Sequence, residues 1–181
     1  MKKYFVALFV LFIISVPYTS KAHETFSEES DYSVDSPFII SDSIENAKAV
    51  YARLEPSTDI DIYSFTVTKP VHVHARAFVP LVAGLEQFLP NLAVVGPGLQ
   101  GAKETLPFTP PAGYGAVVVK NTLPGKKRPT FYEPFSGTKY YDAPAFDQHV
   151  TTAGTWYVYY WDPYGMGGNY VAILGFREGS F

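Results

Sequence analysis

The sequence predicts an all-β protein, a closed or sandwiched antiparallel architecture of about 8–10 strands. Three observations carry this expectation. Fifteen prolines and fourteen glycines are spread along the 181 residues and cut the chain into short pieces. Between them run stretches rich in Val, Ile, Phe, Tyr and Thr, several of which alternate with period two. No long segment carries a 3.6-residue period, so crossover helices that would support a parallel sheet are not expected.

The elements follow in chain order. Lys2 and Lys3 precede an uncharged run from Tyr4 to Val16, which Pro17 breaks, and Ser20-Lys21-Ala22 places small residues where signal peptidase reads. Residues 1–22 are therefore expected to be a signal peptide cleaved before His23, which sends the protein to the periplasm or the medium. The alternative, an uncleaved anchor, needs an apolar stretch of ~20 residues, and nothing after Pro17 prolongs this one. No membrane association is expected after cleavage. Residues 23–36, with Glu24, Glu28, Glu29, Asp31 and Asp35, are too polar to order themselves and are expected to form a flexible acidic arm. A single domain should follow from 37 to 181.

Within that domain the strand-like runs are Pro37–Ile40, Ala47–Leu54, Asp61–Thr68, Val71–Val79, Asn91–Val95, Gly115–Lys120, Ala145–Thr151, Thr155–Trp161 and Asn169–Phe176. Ser64 and Thr66 oppose Tyr63, Phe65 and Val67, and His72, His74 and Arg76 oppose the apolar positions 71, 73, 75 and 77. Such alternation marks a half-buried strand. Gly96 to Gly113 and Leu123 to Asp142 read as long loops of the kind that carry binding on a rigid scaffold.

Charge and cysteine content exclude several classes. From His23 onward the chain holds 11 Lys and Arg against 17 Asp and Glu, a net charge of −6, which argues against nucleic acid as a partner. The run Lys126-Lys127-Arg128, flanked by Gly125 and Pro129, reads as a solvated loop tip. There is no cysteine, hence no disulfide framework and no thiolate metal site.

Val50-Tyr51-Ala52-Arg53-Leu54 followed by Asp59-Ile60-Asp61-Ile62-Tyr63-Ser64-Phe65 resembles the strand pair that opens bacterial pre-peptidase C-terminal domains. Leu92-Ala93-Val94 is similar to that family's central strand, Ala153-Gly154-Thr155-Trp156-Tyr157-Val158-Tyr159 to a later strand, and Gly168-Asn169-Tyr170-Val171-Ala172-Ile173 to its closing strand. The resemblance spans residues 45–176 in scattered blocks, and it implies a jelly-roll β-sandwich of the accessory kind attached to secreted peptidases. None of these residues reads as a peptidase, and the stretch from Gly96 to Asp142 is longer than usual for the family. The resemblance therefore implies the fold rather than the role of an enzyme's appendage.

Three constellations are candidates for function. Tyr157, Tyr159, Trp161 and Tyr164 crowd the last hairpin, with Phe131 and Tyr132 in the loop before it. With Trp156, Val158 and Tyr160 pointing inward, the other face of Thr155–Trp161 presents a row of rings that would bind a carbohydrate or a protein surface, unless loops cover it. His72 and His74 share a strand face and, with the amine and imidazole of His23, would suit copper; the alternative is that they are ordinary exposed residues. Asp59, Asp61 and Asp162 would suit calcium, as acidic loops do in some relatives of this fold, or would satisfy backbone amides at turns. Catalysis has little support. Glu133 with Asp142 or Asp147, and Ser64 with His72 or His149, lack a sequence context that would make a dyad or a nucleophile. The chain is thus expected to be an exported, non-catalytic β-sandwich binding or accessory module that needs no cofactor, its partner a carbohydrate or an envelope or secreted protein. The alternative is a periplasmic metal-handling protein for copper or calcium.

Overall fold

The structure is a computed structural model and describes residues 24–121, 127–134 and 136–177. The expected signal peptide, the cleavage point, His23 and Lys126 lie outside the described residues. Twelve strands are present: β1 (Glu24–Ser27), β2 (Phe38–Ile40), β3 (Lys48–Leu54), β4 (Ile60–Val67), β5 (Val71–Pro80), β6 (Asn91–Pro97), β7 (Tyr114–Val119), β8 (Thr130–Glu133), β9 (Thr138–Tyr141), β10 (Phe146–Val150), β11 (Gly154–Trp161) and β12 (Gly168–Leu174).

The strands form a sandwich of two sheets. One runs β1-β3-β12-β5-β9-β8, with β10 pairing the first half of β5, and the other runs β2-β4-β11-β6-β7. Period-two alternation determines what each strand contributes. Val50, Ala52 and Leu54 of β3, Val73, Ala75, Ala77 and Val79 of β5, and Tyr170, Ala172 and Leu174 of β12 point inward from the first sheet. Tyr63, Phe65 and Val67 of β4, Trp156, Val158 and Tyr160 of β11, and Leu92 and Val94 of β6 meet them from the second. All nine expected runs are strands, and β11 faces the way its sequence predicts.

Three features differ from the sequence reading. First, the strands exceed the expected number because β1, β8 and β9, each four residues long, were not foreseen. Strands β8 and β9 form a hairpin inside the expected loop of residues 123–142 and curl over the outer face of the first sheet, where Phe131 meets Phe78 at 4.4 Å. Second, the body of the sandwich is antiparallel, but β1 pairs β3 and β2 pairs β4 in parallel, so both sheets are mixed. Third, the acidic arm expected to be flexible is docked. Phe26 packs on Phe38 at 5.2 Å, Tyr32 is buried beside Tyr63, and the amide of Ile62 donates to the carbonyl of Tyr32 at 2.7 Å. Two rings and an edge-strand ladder supply what the polar composition lacks.

The basic run also departs from expectation. Arg128 is buried, donates to the carbonyl of Phe88 at 3.1 Å and stacks over the Tyr141 ring at 4.2 Å. Burial pulls its guanidinium down to about 10, partly offset by Tyr141. Its aliphatic stem and planar head suit a packed site better than a lysine would.

Candidate functional site

The cleft at the end of the sandwich where β3 ends and β4 begins has a volume of about 640 Å³ and is lined by Glu28, Asp31, Arg53, Glu55 and Asp59 among others. Acidic residues from two places in the chain meet beside this cleft. Glu28 and Asp31 follow β1, and the docking of Phe26 and Tyr32 on either side holds them over the sandwich end. Asp61 is the second residue of β4 and lies in phase with Tyr63, Phe65 and Val67, so strand geometry turns its carboxylate inward.

Asp61 is fully buried. Its Oδ2 accepts a hydrogen bond from the Tyr170 hydroxyl at 2.7 Å, and the Tyr170 and Tyr63 hydroxyls are 3.1 Å apart, which extends the network into the core. Its Oδ1 is buried with no hydrogen-bond partner. Glu28, Asp31 and Asp61 each present an oxygen within 4.8 Å of the other two, and they are the one such acid or histidine group of three among the described residues. Oxygens bound to one ion at ~2.4 Å can be no more than about 4.8 Å apart, so this spacing fits a shared cation.

Electrostatics point the same way. Burial pushes the Asp61 carboxyl up to about 8 against the pull of the Tyr170 hydrogen bond, and the charges of Glu28, Asp59 and Asp31 raise it further. Burial also raises Glu28, despite its hydrogen bond from the Arg53 amide, and raises Asp31, with Asp59 adding to it. Arg53 does not neutralise them, since its Nε pairs with Glu55 at 2.8 Å. A buried carboxylate thus has two less buried ones close beside it, which is costly for the buried one unless a proton or a metal ion is taken up.

Asp59, Asp61 and Asp162, the calcium set expected from sequence, are not brought together as one group within 4.8 Å. Asp162 is committed to its own loop: Oδ1 accepts from the Tyr164 amide at 3.0 Å, and Oδ2 from the Met166 and Gly167 amides at 2.6 and 3.1 Å. Asp59 lines the cleft but accepts from the Glu55 amide at 2.6 Å, the turn role that its position allows. Glu28 and Asp31 are the residues whose oxygens lie close to Asp61. Their signal in the sequence was the pair of aromatic residues, Phe26 and Tyr32, set within an otherwise acidic arm.

The aromatic candidates do not form one surface. Tyr157, Tyr159 and Trp161 face outward from β11, but Tyr159 is 4% and Trp161 7% exposed. Segment 98–113 folds over them, with Phe108 stacked on Tyr159 at 4.0 Å and set edge-on to Trp161 at 5.7 Å. Of the two readings the sequence left open for this row of rings, the covered one holds: it is a second small core, with Ile62, Ala93, Val95 and Ala116 at its base. Tyr164 is exposed in the loop after β11, whereas Phe131 and Tyr132 lie on β8, over the opposite sheet.

The remaining candidates are engaged. His72 Nε2 and Asp147 Oδ1 are 2.6 Å apart, and His74 Nδ1 lies 3.4 Å from the same oxygen. Asp142 pairs with Arg76 at 2.6 Å, Glu133 accepts from the Ser136 amide at 2.5 Å, and Ser64 is buried in β4 against Tyr157 of β11.

Fold and cleft together define an all-β sandwich with an acidic cleft at one end. No family model matches the chain, and no curated protein does. Among solved structures the chain is similar to the pre-peptidase C-terminal domain of a collagenase from Bacillus anthracis, at 8% identity and a TM-score of 0.37, covering 84% of this chain and 94% of that one. The likeness is one of structure alone.

Proposed function

We propose that this chain is an exported, non-catalytic binding module that takes a calcium ion on Glu28, Asp31 and Asp61 and offers its surface to a carbohydrate or to an envelope or secreted protein. The observation that carries the calcium reading is the buried, unpartnered Oδ1 of Asp61 facing two further carboxylates. Calcium takes six to eight hard oxygen ligands in flexible geometry, so carbonyl and water oxygens of the open cleft would complete its shell. Bound there, the ion would join the acidic arm to β4 and thereby tie β1 to the sandwich.

Titration calorimetry with calcium, and tyrosine-sensitised terbium luminescence, test the reading. One site is expected, weakened at least tenfold in Asp61→Asn and in Glu28→Gln. Absence of binding, or binding that both variants leave unchanged, would overturn it.

The covered aromatic face has its own test. Phe108→Ala should lower stability by about 1–2 kcal/mol through loss of packing and a stacked ring pair. It should also raise acrylamide quenching of tryptophan fluorescence by exposing Trp161. Unchanged quenching would mean that segment 98–113 does not hold the rings closed.

A further inference from the structure

A second cluster lies at the other end of β4 from Asp61, on the outer face of the first sheet. His72 and His74 stand two apart on β5, and the antiparallel register of β10 sets His149 opposite His72 and Asp147 opposite His74. Side chains two apart on a strand are ~6.6 Å apart. Directly opposed pairs on neighbouring strands lie ~5 Å apart at Cβ. Three imidazoles and a carboxylate therefore occupy the corners of one small rectangle on one face.

We propose that His72, His74, His149 and Asp147 form a binding site for a late first-row divalent metal ion such as zinc. Donor chemistry supports this, because neutral imidazole nitrogen with a single carboxylate suits such ions and is poor for calcium or magnesium. The two distances to the Asp147 carboxylate support it too, and the side chains have to turn toward one another before three ligand atoms come within 4.8 Å, since as they stand they do not. In a tetrahedral site with metal–ligand bonds of ~2.0–2.2 Å, nitrogen and oxygen ligands sit roughly 3.3 Å apart. His74 Nδ1 is already 3.4 Å from Asp147 Oδ1, and His72 Nε2, at 2.6 Å, has to open by roughly two thirds of an ångström.

His149 completes the set by a side-chain rotation. Its ring now stacks on His72 with centroids 4.7 Å apart. The residue is exposed on the edge strand. On the other side of His72 the Phe176 ring packs at 4.7 Å, which limits the orientations of that imidazole. Gly175, whose amide donates to the His74 carbonyl, adds no side chain beside His74. Although slight burial acts against it, hydrogen bonding to His74 and His72 keeps the Asp147 carboxyl below its usual range, ready to bind as the anion. The site requires nothing from His23 and is separate from the acidic cleft.

Native mass spectrometry and titration calorimetry with zinc, on the exported chain in calcium-saturated buffer, test the proposal. One zinc per chain is expected, with affinity falling at least tenfold in His74→Ala and in His149→Ala and unchanged in Asp61→Asn. Cobalt should give the intense visible absorption of a four-coordinate ion in the wild type and lose it in His149→Ala. In the unmutated protein, zinc should protect His149 from diethyl pyrocarbonate, a readout that needs no variant. No retained zinc, or zinc binding that survives His149→Ala, would overturn the proposal.

Discussion

In calcium-free buffer the protein should lose stability as pH rises from 5 to 8, and Asp61→Asn should abolish that loss. Burial holds the folded carboxyl of Asp61 at about 8, whereas its ordinary value is 3.8. Between those two values the unfolded chain releases a proton that the folded chain keeps, so each step up in pH favours unfolding. The contribution is fully favourable below the unfolded value and is lost as pH climbs to the folded one. A difference of this size is worth on the order of 2–4 kcal/mol over that window, or a fall in Tm of roughly 5–15 °C. Asparagine carries no titrating proton and can still accept from Tyr170, so the variant should be the more stable protein at pH 8 without calcium. Calcium acts on the deprotonated form, and its stabilising increment should therefore grow with pH in the wild type and vanish in the variant. Thermal unfolding of both proteins at pH 5, 6, 7 and 8, with calcium or with chelator, checks all of this. Every other titrating group is common to both proteins and cancels in the comparison. Parallel curves for the two proteins would sink the argument.

The other large effect lies in the core. Trp156 is 2% exposed, its Nε1 donates to the carbonyl of Thr152 at 3.0 Å, and its ring rests on Gly96 of β6. A Cβ added at Gly96 would fall 2.1 Å from the indole Cε3 and 2.5 Å from Cζ3, with no room for either to yield. Gly96→Ala should therefore destabilise by about 2–3 kcal/mol through overpacking. Trp156→Ala should cost about 3–5 kcal/mol through the cavity it leaves. Because the two changes act on one contact, the double variant should be no less stable than Trp156→Ala alone, a coupling of about 2 kcal/mol or more. Denaturant unfolding of the four proteins measures it. Additive losses would show that Gly96 is required for some reason other than the ring beside it.

Much of this molecule is local in origin, and that part was legible. Whether Trp156, Val158 and Tyr160 face in or out follows from alternate projection along one strand, and the same rule sets His72 and His74 on one face. Asp61 was legible too, being in phase with Tyr63 and Phe65, although its place near a turn suggested a backbone role instead. The punctuation by Gly and Pro marked nine of the twelve strands.

What only the tertiary structure decided concerns residues distant in sequence. Glu28 and Asp31 meet Asp61 because β1 joins the edge of β3, and a four-residue acidic strand has no periodicity of its own to announce that. Phe108 covers Tyr159 across fifty-odd residues, and Arg128 finds Tyr141 and Phe88 around a buried pocket. His149 stands opposite His72 through the register of two strands seventy-odd residues apart. The amino-acid order determines which face each side chain takes, because that depends on bond geometry within a few residues. Which faces then meet depends on how much apolar surface two distant segments bury together against the entropy of closing the loop between them, and no local pattern encodes that balance.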